Sequence, residues 1–155
     1  MPKTKDLNKN LAAFLDMIAE SEGTAHLGKD CGYNVIVGGT LFNSYETHPN
    51  KRIWLSKFGI NSTAAGRYQL LNRYYIAYKK LLGLKDFSPE SQDAIAIQQI
   101  KECRALEDIY AGRLEKAISR TNNIWASFAG AGYGQHEHKI ENLRRMFELA
   151  GGVVQ

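Results

Sequence analysis

Glu22 is the residue of this sequence that is best placed for acid–base chemistry. It lies in the segment IAESEGT, residues 18–24, after apolar residues that recur at the spacing of one helix face, Leu11, Phe14, Leu15 and Ile18. Because Glu22 comes four residues after Ile18, it continues that face, whereas Glu20 falls on another side. Burial and the negative end of the helix dipole would both raise the pKa of this carboxyl group. Glu22 is therefore a candidate general acid near neutral pH, with a solvated helix end as the alternative.

Two further segments carry side chains suited to ligand binding. In STAAGRYQLL, residues 62–71, small residues permit close approach and lead to Gln69, whose amide both donates and accepts. Such an amide suits an N-acetyl group or a sugar hydroxyl. In GAGYGQHEH, residues 130–138, three glycines surround Tyr133, which fits either a sugar-binding tyrosine or a packed turn. His136 and His138 alternate there without a third ligand, so we predict no metal site.

The helices that position these segments are predicted from periodicity and from their end signals. They cover about 11–22, 68–82, 89–101, 106–110, 114–119 and 140–150. Gly23, Gly83 and Gly151 supply stops for three of them, and Ser88 can cap the helix that has Pro89 in its first turn. In the second helix the shared face consists of Leu71, Tyr74, Tyr75, Tyr78 and Leu82.

Residues 23–66 differ from the rest, because turn formers are frequent and no long helix is predicted. The run NVIV, residues 34–37, predicts a short strand within a small hairpin or sheet. A segment of this length exceeds what a connection needs, which suggests the wall of a cleft. We therefore predict a single domain over 1–155 of α+β class, mostly helical, with a helical lobe and a small irregular β-containing lobe at about 23–66.

Composition excludes several classes of function. The chain has 155 residues and a net charge of 20 − 16 = +4, a mild excess that favours an anionic polymer or surface. The basic residues are scattered, so we expect no nucleic acid partner. No apolar run could span a bilayer and no secretory signal is recognisable, so we expect synthesis in the cytoplasm and no stable membrane association. Cys31 and Cys103 are predicted to be reduced thiols, with a single bridge as the alternative.

Long runs in a fixed order carry a family resemblance over nearly the whole chain. They are AFLDMIAESEGT, GYNVIVGG, GRYQLL, LGLKDFSP, SQDAIAIQQIKE, NIWAS and GAGYGQ. In these runs the sequence resembles the soluble phage lytic transglycosylases, which are endolysins. The resemblance implies a lysozyme-like fold in which the two lobes flank a glycan cleft.

The family's motifs imply roles for the matching residues of this chain. The glutamate of the family's SEGT motif is its catalytic acid, which corresponds here to Glu22. The GRYQL segment resembles an element that lines the glycan cleft and so implies substrate binding by Tyr68 and Gln69, and the GYG loop implies the same for Tyr133. The family's GYD is GYN here, so Asn34 replaces an aspartate that we expect to be non-essential and is itself expected to orient sugar.

The implied reaction cleaves the β-1,4 bond between N-acetylmuramic acid and N-acetylglucosamine in peptidoglycan and leaves 1,6-anhydro-muramyl ends, which lyses the host. No cofactor is implied. One alternative is a hydrolytic muramidase, which needs a second carboxylate that Asp30 or Glu46 would supply. Another is a non-catalytic wall-binding module. The resemblance further implies a monomer, made in the host cytoplasm and released to the periplasmic wall by a separate holin-type protein.

Overall fold

Six helices and one two-stranded sheet make up the regular structure of the computed structural model, which describes residues 1–132 and 137–155. The helices are α1 (Lys9–Glu22), α2 (Asn72–Leu82), α3 (Pro89–Glu102), α4 (Leu106–Tyr110), α5 (Leu114–Thr121) and α6 (Ile140–Leu149). The antiparallel strands are β1 (Ile53–Leu55) and β2 (Ile60–Ser62). The predicted class, mostly helical with a small β-containing lobe, is confirmed.

Helix α1 is the central element of the larger apolar core. The Asn8 side chain accepts hydrogen bonds from the N–H groups of Asn10 and Leu11 and so caps its N-terminus. Gly23 ends the helix in the left-handed conformation, as predicted, and its N–H donates to the carbonyls of Ala19 and Glu20. Both α4 and α6 pack against α1, and burial on α1 extends beyond one face. Its fully buried residues are Ala13, Phe14, Leu15, Met17, Ile18 and Ala19.

The helices that pack around α1 lie where the sequence predicts them. Ser88 caps α3, since its hydroxyl accepts from the Ser91 N–H, and Pro89 occupies the first turn. Helices α4 and α5 match the two predicted short helices. Helix α6 buries Leu143 and Phe147.

Helix α2 departs from its prediction at its start and in its burial. It begins at Asn72 rather than near 68, because Gln69 has a φ of 53° and the Leu70 N–H pairs back with the Ala65 carbonyl at 2.8 Å. Only Tyr75 of this helix is buried. Helix α2 therefore lies on the outside of the protein, where Tyr74 is exposed rather than part of a core face.

The strand predicted at residues 34–37 does not form. Gly38 and Gly39, both at positive φ, reverse the chain immediately after it, so Val35 and Ile36 make only isolated bridges to Leu41 and Ala65. The ordered strands β1 and β2 lie further along the same lobe. A second apolar cluster supports the lobe, formed by Ile36, Phe42, Ala65, Leu70, Tyr75, Phe87 and Ile95.

The two tryptophans and the two cysteines lie in contrasting environments. Trp54 on β1 is 60% exposed, whereas Trp125 in the main core is 2% exposed. Cys31 and Cys103 are free thiols, which confirms the prediction.

Within the described ranges, no helix combines the length and the apolar character needed to cross a membrane.

Candidate active site

Glu22 is the last residue of α1 and is half-buried, at the edge of the main core. Burial raises the pKa of its carboxyl group to about 7, and a hydrogen bond with the Ser127 side chain lowers it only in part. A carboxyl group with this pKa is present in both protonation states near neutral pH. It can therefore donate a proton and later accept one.

A small polar layer holds the end of α1 beside the segment after α5. The hydroxyl of Ser127 lies 3.1 Å from that of Ser21, and the His138 N–H donates to the Ser127 carbonyl at 2.8 Å. The His138 side chain approaches the Ser21 carbonyl through Nε2 at 3.2 Å, so Nε2 carries the proton. Ser127 is a site residue that the sequence analysis missed, because its contact with Glu22 joins residues distant in the chain.

Thr24 ties the chain after Glu22 to the Gly66–Leu70 loop. Its buried hydroxyl donates to the Arg67 carbonyl at 2.5 Å. Gly32 has a φ of 87°, and a Cβ there would lie 2.3 Å from the Thr24 carbonyl oxygen. Only glycine therefore fits at position 32. These contacts fix where the chain leaves α1 and, with it, the position of Glu22.

Gln69 lies in a tight loop whose ends, Ala65 and Leu70, exchange two backbone hydrogen bonds of 3.0 and 2.8 Å. Its side-chain Nε2 donates to the Gly66 carbonyl at 2.9 Å. Within the described residues, Oε1 of Gln69 receives no hydrogen bond. The donor end of the amide is thus anchored, and the acceptor end is left for a ligand N–H or hydroxyl.

A cavity of about 290 Å³ begins at this loop. Its wall includes Gln69, Leu71, Tyr74, Asn123 and Ile124. Trp125 Nε1 donates to the Tyr68 carbonyl at 3.2 Å, and the side chain of Ser127, two residues later, is close enough to Glu22 to lower its pKa. Glu22 does not itself line this cavity, and the segment 125–127 joins the cavity wall to the glutamate along the chain. We refer to this cavity as the cleft.

Tyr68 lies mainly inside the protein, with 5% of its surface exposed. Its hydroxyl donates to Oδ1 of Asp93 at 2.6 Å and accepts from the Arg67 guanidinium at 3.0 Å. This geometry favours a role in positioning the Gln69 loop over direct contact with a sugar through the hydroxyl. Burial is the main cause that raises the pKa of Tyr68 well above its usual value. The hydroxyl therefore remains a hydrogen-bond donor.

Asp93 of α3, which the sequence analysis did not single out, is the centre of this buried network. Its carboxyl group is 0% exposed and accepts from Tyr33 at 2.9 Å as well as from Tyr68. Thr4 donates to it twice, from its N–H at 3.0 Å and from its hydroxyl at 2.7 Å. The network therefore joins the N-terminal segment, the irregular lobe and the Gly66–Leu70 loop to one helix.

Asn34 and Tyr133 complete the predicted set. Asn34 is half-buried in the irregular lobe, and among the described residues its Oδ1 has no hydrogen-bond donor. A Cβ at Gly28 would lie 3.0 Å from that oxygen, so the two residues are in close contact. Tyr133 lies outside the described residues, as does His136. Glu137, which follows this segment, accepts the N–H groups of Gly130 and Gly132 at 3.0 and 2.7 Å.

The two candidates for a second carboxylate lie in different settings. Asp30 is half-buried, which by itself would raise its pKa, but hydrogen bonds from Lys3 and Tyr45 outweigh this effect and lower the pKa. Its oxygens are thus already engaged by two donors. Glu46 is exposed on the irregular lobe.

A family model described as Endolysin matches residues 12–154. The chain belongs to the endolysin family. It is 54% identical to the endolysin of Escherichia phage lambda over 153 residues, which cover 97% of this chain and 96% of that protein. It is 52% identical to the endolysin of Escherichia phage P2 over 157 residues, covering 94% and 95% of the two chains.

Solved structures agree with this family. One is the bacteriophage lambda lysozyme complexed with a chitohexasaccharide, which matches with a TM-score of 0.94, 54% identity and coverage of 98% of this chain and 100% of that one. A second structure, of the lysozyme from bacteriophage lambda, matches with a TM-score of 0.90, 53% identity and the same coverage. The predicted lysozyme-like fold is confirmed, and this endolysin is an enzyme that acts on the peptidoglycan of the host cell wall.

Proposed function

We propose that this endolysin is a lytic transglycosylase that cleaves the β-1,4 bond between N-acetylmuramic acid and N-acetylglucosamine and leaves 1,6-anhydro-muramyl ends. The observation that carries the proposal is the single carboxyl group of Glu22, whose burial raises its pKa to about 7. The candidate partners for a two-carboxylate hydrolysis are less suitable, since Asp30 is engaged by Lys3 and Tyr45 and Glu46 is exposed.

Glu22 performs both proton transfers in this mechanism. Its protonated carboxyl donates to the oxygen that leaves C1 of the muramyl residue, as that carbon acquires oxocarbenium character. The resulting carboxylate then removes the proton from the C6 hydroxyl of the same residue, whose oxygen attacks C1 and closes the anhydro ring. The glutamate is returned to its acid form and no water is consumed. A pKa close to the working pH serves both steps.

The other side chains position the substrate and the acid. The free Oε1 of Gln69 accepts from an N-acetyl N–H or a hydroxyl of a sugar in the cleft. Tyr68 holds the Gln69 loop through Asp93, and Ser127 orients the Glu22 carboxyl group. Asn34 and Tyr133 are assigned to sugar binding on the resemblance to the family.

The masses of the products test this proposal. Digestion of purified peptidoglycan should yield muropeptides whose muramyl ends are one water lighter than the products of a hydrolase, because the C6 hydroxyl replaces water as the nucleophile. Mass spectrometry of the soluble products, beside a parallel digest with a hydrolytic muramidase, measures this difference. Reducing muramyl ends as the main product would overturn the transglycosylase assignment and favour the muramidase alternative.

The pH dependence of the reaction should follow the acid form of Glu22. Because its pKa is about 7, kcat/KM should be nearly constant at pH 5 to 6 and should fall by about tenfold per pH unit well above pH 7. Initial rates on soluble glycan strands between pH 5 and 9 measure this profile. A plateau that extends to pH 9 would contradict a titrating Glu22 as the acid.

The route of the enzyme to the wall stays a prediction from the family resemblance. We propose synthesis in the host cytoplasm and action in the periplasm after a separate holin-type protein has permeabilised the membrane. We also propose that the enzyme acts as a monomer and needs no cofactor.

A further inference from the structure

We propose that a groove between the β1–β2 hairpin and the first turn of α2 binds carboxylate groups of the peptide stems of peptidoglycan, through Arg52 and Arg73. The inference rests on the proposed action on glycan strands and adds a second site beside the cleft. We call it the stem groove. It measures about 480 Å³. Its polar lining residues are Asn50, Arg52, Asn61, Thr63, Asn72 and Arg73, and no aspartate or glutamate of the residues that the structure describes lines it.

The cations of the stem groove are not neutralised by the protein. Arg52 and Arg73 are exposed, and neither is ion-paired with a carboxylate in the described part of the chain. Arg73 donates only to the Tyr74 hydroxyl, at 3.4 Å, among the described residues. A guanidinium without a carboxylate partner in a concave site can donate bidentately to a carboxylate ligand.

Other grooves of comparable size have their cations paired. In a groove of about 490 Å³ beside α5 and α6, Arg113 donates to Asp108 at 2.7 Å and Arg144 to Glu148 at 2.8 Å. In one of about 380 Å³ beside α1, Arg67 donates to Asp16 at 2.6 Å. The stem groove thus differs from both in retaining positive charge for an anionic ligand.

The stem groove adjoins the cleft. Leu71 lines both cavities. The Arg73 guanidinium carbon lies 4.9 Å from the ring centre of Tyr74, which also lines the cleft. Because the two cavities meet at Leu71, the stem groove is the neighbouring site for a substituent that leaves a glycan bound in the cleft.

The start of α2 adds to the positive character of the stem groove. Leu71 occupies the N-cap position and offers no side-chain acceptor. The partial positive charge of the helix N-terminus therefore reinforces the two guanidinium groups. Asn61 and Asn72 supply neutral amide donors beside them.

Peptidoglycan supplies the matching ligand. Each peptide stem begins at the lactyl group of a muramyl residue and carries free carboxylates along its length. When a glycan is bound in the cleft, these carboxylates therefore lie on a substituent that is attached directly to its muramyl residues. Binding of these carboxylates would give strands that bear stems a lower KM than bare glycan.

The experiment compares two soluble substrates, uncrosslinked peptidoglycan strands with stems and the same strands after an amidase has removed the stems. For the double variant Arg52→Gln, Arg73→Gln, KM on stem-bearing strands should rise by about fivefold to twentyfold, since two charge-assisted contacts are lost. On stripped strands KM should equal that of the wild type. The effect should shrink at high salt.

A matched variant controls for net charge. Lys80→Gln, Lys101→Gln removes two exposed positive charges outside the stem groove and should leave KM on both substrates unchanged. Three results would each overturn the proposal: no change on stem-bearing strands, an equal loss on both substrates, or an equal loss in the lysine control. The comparison of substrates does not depend on whether the muramyl ends are anhydro or reducing, so failure of the transglycosylase proposal would be recognised separately.

Discussion

Replacing Glu22 by Gln should lower the rate of lysis of purified cell walls by about 1,000-fold or more. The amide keeps the size of the side chain but, in the proposed mechanism, can neither donate the proton to the leaving oxygen nor remove one from the C6 hydroxyl. Loss of both transfers affects both halves of the reaction, whereas binding of glycan should persist. Turbidity of a cell-wall suspension measures the rate, and sedimentation with the walls measures binding.

Glu20→Gln is the matched control, since Glu20 lies two residues earlier on α1. Its carboxylate pairs with His26 at 2.7 Å on the exposed side of the helix, so its loss should leave the rate unchanged. Retention of more than a few per cent of activity in Glu22→Gln would exclude Glu22 as the acid. Unchanged lysis would instead support a role for Glu22 in structure alone.

Glu22→Gln should also be more stable than the wild type at alkaline pH. Burial raises the pKa of Glu22 from 4.5 to about 7, so the ionised form is disfavoured in the folded state. The contribution of this group to stability is fully present below pH 4.5 and is lost as the pH rises through 7. Glu22→Gln should therefore gain about 1–3 kcal/mol over the wild type at pH 8 and little at pH 4.5. Thermal unfolding at both values measures this and shows that the variant folds.

Asp93→Ala should reduce the free energy of unfolding by about 3–5 kcal/mol. The carboxyl group is 0% exposed and accepts four hydrogen bonds, from Tyr33, from Tyr68 and twice from Thr4. Its removal leaves buried donors without partners and opens a space in the core. Asp93 holds Tyr68, which precedes Gln69 in the substrate-binding loop. Because the loss of Asp93 would displace this loop, kcat/KM should also fall by about tenfold. Urea unfolding and initial rates at low temperature measure the two effects.

Two variants of α3 make the Asp93 result specific. Glu90→Ala removes an exposed carboxylate one turn earlier and should change stability by less than about 0.5 kcal/mol. Asp93→Asn keeps one acceptor oxygen and should fall between the wild type and Asp93→Ala. A loss of less than about 1 kcal/mol in Asp93→Ala would contradict the central place of this carboxyl group.

Features that depend on local sequence were predictable. The end of α1 at Gly23 and the cap at Ser88 follow from backbone conformation and from one side chain within a few residues. The placement of Glu22 at the edge of the core follows from the period of the preceding apolar residues. These signals sufficed to select Glu22 as the candidate acid and to predict five of the six helices with little error.

Features that depend on the path of the backbone in turns or on contacts between distant segments were not predictable. The strand expected at residues 34–37 lacks a partner long enough to pair with, because Gly38 and Gly39 reverse the chain. The loop around Gln69 delays α2 through its pairing with Ala65, which no helix propensity reveals. Ser127 and Asp93 gain their importance from partners far away in the chain, so their residue types alone carry no signal.

The contrasting tryptophans give this enzyme two optical reporters that respond to different events. Trp125, enclosed in the main core, should emit at short wavelength and shift only when the protein unfolds. Trp54 lies on β1 in the hairpin that borders the stem groove, two residues after Arg52, and is open to solvent. Quenching by a soluble agent should therefore act on Trp54 first, and a peptide stem bound nearby should shield it. Fluorescence can thus follow occupancy and folding in one sample without an added label.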